Sequence, residues 1–146
     1  IVLQTFSKAW ASASVRLGMA FASEEIIGIL NKIKYPYNIN KLTQDYALKI
    51  LKNPDVIKNW AKETVSLRSD VVYELKGFKF VEKIYPTDAN FVLVKVTDAN
   101  DLYTYLTMKG IIVRNRNRVQ LCGNCLRITI GTKEENEELF KALKKY

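Results

Sequence analysis

Histidine is absent from this 146-residue sequence, which excludes Ser–His and Cys–His nucleophile pairs and any imidazole-ligated metal site from the chain. Cysteine occurs only at Cys122 and Cys125. Two thiols are too few for a disulfide scaffold, and their Cys-x-x-Cys spacing lacks the second ligand pair that a structural zinc site takes, so no metal is expected. A redox role for the pair is disfavoured because it lies outside the strand-to-helix context that such motifs use. With three prolines and six glycines, no low-complexity tract can be composed, and no internal repeat is visible. No stretch approaches the roughly 18 uninterrupted apolar residues of a membrane span. A soluble, cytoplasmic protein is the expectation.

What is present is sufficient for a core: 48% of residues are hydrophobic and 11% aromatic, enough for one domain by length alone. The net charge of +8 raises the alternative of a small basic nucleic-acid-binding module. Against it, the lysines are scattered and many adjoin acids, as in Lys62-Glu63 and Lys133-Glu134-Glu135. Most read as solvated faces, and nucleic acid is disfavoured as a partner. A substrate carrying phosphate and carboxylates would favour the same basic balance.

Residues 1–3 read as a short buried strand and residues 19–22 as a second. Ser23 is placed to cap a helix carrying Ile26, Ile27, Leu30 and Ile33, and Tyr35-Pro36-Tyr37-Asn38 interrupts as a hinge. A helix over residues 41–52 is expected to bury Leu42, Tyr46, Ile50 and Leu51. Asn53-Pro54 signals the start of a long helix with Ile57, Trp60, Thr64, Leu67, Val71 and Leu75 in one stripe, closed by a left-handed Gly77. Strands follow at residues 78–84 and 90–96, the second with a buried face read from the alternation Phe91, Leu93, Lys95. Asp98 caps a helix that Gly110 closes. Residues 111–115 and 126–130 form two more strands that pair, and Thr132 with Glu135 makes a capping box for the last helix. The order implies α/β in the first part and α+β in the second.

Lys8 stands out, because its neighbours in Thr5-Phe6-Ser7-Lys8-Ala9-Trp10 are hydroxyls and aromatics instead of neutralising acids. An amine held in a partly apolar pocket becomes a nucleophile toward an aldehyde. Thr5, Ser7 and the guanidinium of Arg16 could hold a phosphate beside it. A phosphate and an aldehyde together suggest pyridoxal phosphate, whereas composition alone favours an ordinary solvated lysine. Arg127, set between Leu126 and Ile128, should face an anion, and on composition alone a salt bridge to a structural acid is the better account.

Thr5-Phe-Ser-Lys-Ala-Trp10 followed by Arg16-Leu-Gly18 resembles the cofactor-lysine segment of the fold type I, pyridoxal-phosphate-dependent aminotransferases, and within them the histidinol-phosphate aminotransferases. Ala89-Asn-Phe-Val-Leu-Val94, Lys109-Gly-Ile-Ile-Val-Arg-Asn115 and Cys125-Leu-Arg-Ile-Thr-Ile-Gly-Thr132 are similar, in order and spacing, to that family's C-terminal domain. The resemblance implies that residues 1–37 are a remnant of the cofactor-binding large domain and residues 38–146 the small α+β domain. It implies Lys8 as the catalytic, cofactor-holding amine, Arg16, Ser7 and Thr5 as cofactor-phosphate ligands, Arg127 as the substrate-carboxylate arginine, and Arg114 as an arginine near the substrate phosphate. The implied substrates are histidinol phosphate and glutamate or 2-oxoglutarate, with pyridoxal 5'-phosphate as cofactor and a homodimer as the assembly. A threonine-phosphate decarboxylase or an aromatic aminotransferase has the same parts. Ser12, Ser14 and Met19 depart from the family's frequent residues without removing a charged contact. The residues that the family places around the cofactor ring belong to a portion before this lysine, so the chain is expected to be a C-terminal fragment, inactive by itself.

Overall fold

Strands Val2–Thr5 (β1) and Gly18–Phe21 (β2) pair antiparallel, with Val2 opposite Phe21 and Thr5 opposite Gly18. This is the architecture in a computed structural model that describes residues 1–146. Neither strand is buried: Ile1, Val2, Leu3 and Phe21 are exposed. The strand read at residues 1–3 is present, and in this chain it is exposed, not buried. A two-stranded ribbon has two open edges and, in this chain, apolar faces that nothing covers.

After β2, Ser23 takes the N-cap position of helix Glu24–Ile33 (α1) with extended backbone but no side-chain bond to an amide. Glu24 and Glu25 in the first turn complement the positive helix end instead. Ile27 and Leu30 are half-buried, while Ile26, Ile29 and Ile33 are exposed. The interruption falls where Pro36 predicts it, and Tyr37 adopts a left-handed φ of 58°. Helix Lys41–Leu51 (α2) follows, the Asn40 side chain accepting from the Thr43 N–H at 2.9 Å. Of the expected inner residues Ile50 alone turns inward, and Tyr46 and Leu51 are exposed. Leu42 is 81% exposed, and Thr43, Ala47 and Ile50 turn inward. The small Thr43 and Ala47 let the helix approach the loop between β1 and β2, to which Thr43 Oγ1 donates at the Val15 carbonyl oxygen, 3.4 Å away.

Helix Pro54–Leu75 (α3) begins at the predicted proline. Its apolar stripe is buried only at Val71 and Leu75. Gly77 is not left-handed. The helix ends instead in a tight turn, the Gly77 N–H donating to the Glu74 carbonyl oxygen at 3.0 Å and that of Phe78 to Leu75 at 3.3 Å.

Residues form two compact units, Ile1–Ala61 and Lys62–Tyr146, and the expected boundary between residues 37 and 38 falls inside the first. The second unit contains strands Val81–Ile84 (β3), Phe91–Val96 (β4), Arg114–Asn115 (β5) and Cys125–Thr129 (β6), with helices Ala99–Met108 (α4) and Lys133–Leu143 (α5). The sheet is antiparallel throughout, in the order β3-β4-β6-β5. Its core face is Val92, Val94, Val96, Leu126 and Ile128, packed with Val71 and Leu75 of α3, Leu102 and Leu106 of α4, and Leu139, Phe140 and Leu143 of α5. The alternation in β4 therefore runs opposite to the expectation: the valines are buried, and Phe91, Leu93 and Lys95 form the half-exposed face. β-branched valines suit a pleat covered by helices. The ends of α4 and α5 are as predicted. Asp98 Oδ1 accepts from the Asn100 and Asp101 amides, Gly110 takes φ 77°, and Thr132 and Glu135 complete a capping box. The fold is thus α/β followed by α+β, and no helix is long and apolar enough to cross a membrane.

Candidate functional site

Residues 6–17 connect β1 to β2 and close on themselves, because the Phe6 N–H donates to the Leu17 carbonyl oxygen at 3.0 Å and prolongs the strand ladder. Two side chains hold the loop's interior. Phe6, 2% exposed, packs against Trp10 with ring centroids 5.3 Å apart. Ser12, 3% exposed, receives its place from three hydrogen bonds: its N–H donates to the Phe6 carbonyl oxygen at 2.9 Å and its Oγ to that of Trp10 at 2.7 Å, which leaves Oγ to accept from the Tyr46 hydroxyl at 3.3 Å. Ala11 and Arg16 bend the chain through left-handed conformations at φ 49° and 52°. Such a non-glycine residue costs on the order of 1 kcal/mol and persists where the surroundings over-determine it. A loop of this kind is built to hold a shape.

Lys8 lies on that loop and is solvent-exposed. The partly apolar pocket expected around its amine is not formed by this chain, because the neighbouring aromatics pack against one another. None of the ion pairs in the chain involves it. Thr5 and Ser7 are brought together at the neck of the loop. Thr5 Oγ1 accepts from the Ser7 N–H at 3.1 Å, donates to the Leu17 carbonyl oxygen at 3.1 Å, and lies 3.0 Å from Ser7 Oγ. Arg16 is exposed, and its Nη1 donates to the Ala13 carbonyl oxygen at 3.0 Å, which leaves its other guanidinium N–H groups available. An unpaired amine, two hydroxyls in contact and a guanidinium with spare donors, all on one shaped loop, fit a ligand bearing an aldehyde and a phosphate. The donor set suits pyridoxal phosphate.

The second group belongs to the sheet. Arg114 of β5 and Arg127 of β6 are register partners, and Leu93 of β4 stands opposite Arg127 on its other side. Directly opposed residues project to one face, so two guanidinium-bearing side chains share it. Arg127 is half-buried, its Nε is shielded from solvent and has no hydrogen-bond partner, and its Cζ lies 5.0 Å from the Phe91 ring centroid. Neither arginine takes part in an ion pair, so the structural salt bridge that composition favoured for Arg127 is absent. Like charges directly opposite repel, and a buried donor without an acceptor costs about 1–3 kcal/mol. A planar anion bound between the two would relieve both. On the same face Lys95 is neutralised by Glu82 at 3.0 Å, and that hydrogen bond, with the Coulomb attraction, raises its pKa.

Arg118 is exposed and Arg116 half-buried in the turn region that the sequence assigned to surface charge, and Tyr37 is 99% exposed in its own turn. Sequence reasoning missed Ser12 and Phe91. The small-residue run Ala11-Ser-Ala-Ser14 was a faint signal for the first. Nothing local signals the second, because its contact with Arg127 exists only through the β4–β6 pairing.

The family model for aminotransferase class I and II matches residues 1–143. A histidinol-phosphate aminotransferase of Bacteroides fragilis is 54% identical over 146 residues, which is 100% of this chain and 42% of that protein. The chain thus spans about two-fifths of the length of the curated relatives it matches. The crystal structure of the histidinol-phosphate aminotransferase from Clostridium acetobutylicum matches with a TM-score of 0.88 at 24% identity, over 98% of this chain and 44% of that one. That of the enzyme from Sinorhizobium meliloti, in complex with pyridoxal-5'-phosphate, matches with a TM-score of 0.79 at 22% identity, over 98% and 39%. At such identities these two structures speak to the fold.

Proposed function

The chain belongs to the aminotransferase class I and II family, and on that premise we propose that the whole protein transfers an amino group between histidinol phosphate and 2-oxoglutarate, in histidine biosynthesis, with pyridoxal phosphate as cofactor. The relative at 54% identity carries that name. The observation that carries the reading to particular residues is the opposition of Arg114 and Arg127, with the Nε of Arg127 buried and unpartnered. One substrate brings a phosphoester where the other brings a carboxylate. A pair of guanidinium forks accepts either anion, so one site can serve both half-reactions.

Lys8 holds the cofactor through its amine, and Thr5, Ser7 and Arg16 hold its phosphate. Pyridoxal phosphate, when bound, supplies the electron sink for the substrate carbon that loses its proton. Lys8 Nζ, as the free amine, takes that proton and returns it. The domain reading, residues 1–37 with the cofactor-binding part and residues 38–146 as the small domain, a homodimeric assembly and a cytoplasmic location complete the proposal.

The test is an assay of the whole protein with glutamate as donor and the imidazole keto-phosphate as acceptor. Turnover of that pair is expected. Carbon dioxide release from threonine phosphate, or a preference for aromatic keto acids over the keto-phosphate, would move the assignment to a neighbouring member of the family.

A further inference from the structure

Cys122 and Cys125, the only cysteines in the chain, stand at the two ends of one β-turn, in which the Cys125 N–H donates to the Cys122 carbonyl oxygen at 3.0 Å. A turn closed in this way brings its first and fourth Cα atoms within about 7 Å, which overlaps the range of about 4.4–6.8 Å at which a disulfide closes. Asn124 supplies the left-handed residue at φ 55°. The turn is pinned from outside as well. Asn117 Oδ1 accepts from the Asn124 N–H at 2.8 Å, the Val96 N–H donates to the Asn124 carbonyl oxygen at 2.9 Å, and the Cys122 N–H donates to that of Val119 at 3.0 Å. Cys125 Sγ lies 3.6 Å from the Gly123 carbonyl oxygen, within the turn. Both thiols are free, Cys122 half-buried and Cys125 fully buried. Burial raises the pKa of the Cys125 thiol, and Cys122 is the next cause of the rise, as fits two sulfurs that sense each other.

We propose that Cys122 and Cys125 form an oxidisable dithiol, a thiol–disulfide exchange site that a low-molecular-weight disulfide converts into an intramolecular Cys122–Cys125 bond. Zinc is not the better occupant, since the chain contains no group of three or more ligating side chains that could hold a metal ion. The half-buried Cys122, as thiolate, attacks one sulfur of the small disulfide, whose S–S bond breaks and releases one thiolate. Cys125, as thiolate, then attacks the Cys122 sulfur of the mixed disulfide and displaces the second small thiol. Two protein thiols lose two electrons, one small disulfide gains them, and the two protein protons end on the two released thiols. The proposal is independent of the aminotransferase reading.

The 146-residue chain is incubated with oxidised glutathione, quenched in acid, alkylated under denaturing conditions and weighed intact. The expected result is a loss of two hydrogen masses with no alkylation, against two alkylated thiols in the untreated chain. Trypsin after Arg118 and Arg127 releases both cysteines in one peptide, and the mass loss should sit there, a readout that needs no variant. Cys122→Ser should keep its Cys125 thiol alkylatable, because a buried thiol is not reached directly. A chain that retains two alkylatable thiols, accumulates a glutathione adduct without closing, or forms covalent dimers instead would overturn the proposal.

Discussion

The two compact units differ in what holds them. In Ile1–Ala61 the buried hydrophobic residues are Phe6 and Ala47, and order comes largely from polar bonds about Ser12 and Thr5 and from left-handed residues at Ala11, Arg16 and Tyr37. In Lys62–Tyr146 a sheet packs its valine face onto three helices in one continuous cluster. The difference teaches that a chemically equipped loop can be shaped by a few hydrogen bonds and one aromatic contact, while the positions of Arg114 and Arg127 rest on a core. Substitutions should therefore separate activity from stability in the first unit and couple them in the second.

The largest expected effect tests the first half of that statement. On the proposed role, Lys8→Ala in the whole protein should lower transamination by about 10⁴-fold or more, because the variant would lack the amine assigned to hold the cofactor and move the proton. Measured without cofactor, its thermal midpoint should not move, since Lys8 is exposed in this chain and none of the chain's ion pairs involves it. Near-normal turnover would remove Lys8 from the chemistry, and a collapsed midpoint would make it structural.

Next comes the core. Leu126→Ala, at a fully buried position between the valines of β4 and the helices, should destabilise by about 2–5 kcal/mol. Ile33→Ala, on the exposed end of α1, should stay within about 0.5 kcal/mol. Denaturant titrations of the two variants would erase the contrast if both losses were alike.

Arg127→Lys should weaken substrate binding by about 1–3 kcal/mol, seen as a raised KM for glutamate, because one ammonium cannot reproduce the fork that lies beside Phe91. An unchanged specificity constant for glutamate would return Arg127 to a structural role.

The smallest effect concerns pH. Tyr146, 41% exposed, is raised from its ordinary 10.0 to about 12, first by the partial burial of its ring beside Phe80 and Tyr105 and then by its 2.7 Å hydrogen bond to Asp101. The unfolded phenol ionises first, so the proton is held more tightly in the fold. Stability from this group is complete below about pH 10 and is lost as pH rises through about 12. Tyr146→Phe should flatten the alkaline decline of the second unit's stability, and identical pH profiles for the two proteins would refute the assignment.

Much of this was legible from the sequence, for reasons that are local. Pro54 specifies a helix start through its fixed φ, Gly110 a helix end through its left-handed backbone, and Asp98 and the Thr132–Glu135 pair specify helix starts through bonds made within a few residues, each at its expected place. The segment from Thr5 to Gly18 carried the reactive residue types by their mere adjacency. Tertiary structure decided the rest. The buried face of β4 went to Val92, Val94 and Val96 because helices cover that side, although alternation alone fits either face. The inner face of α2 went to Thr43, Ala47 and Ile50 because a loop from another part of the chain lies against it. Arg114 and Arg127 became opposite partners, and Phe91 a neighbour of the guanidinium, only through strand register. Caps, turns and residue chemistry are short-range and can be read along the chain. Which face is buried and which charges meet depend on what packs from a distance, and only the folded chain settles them.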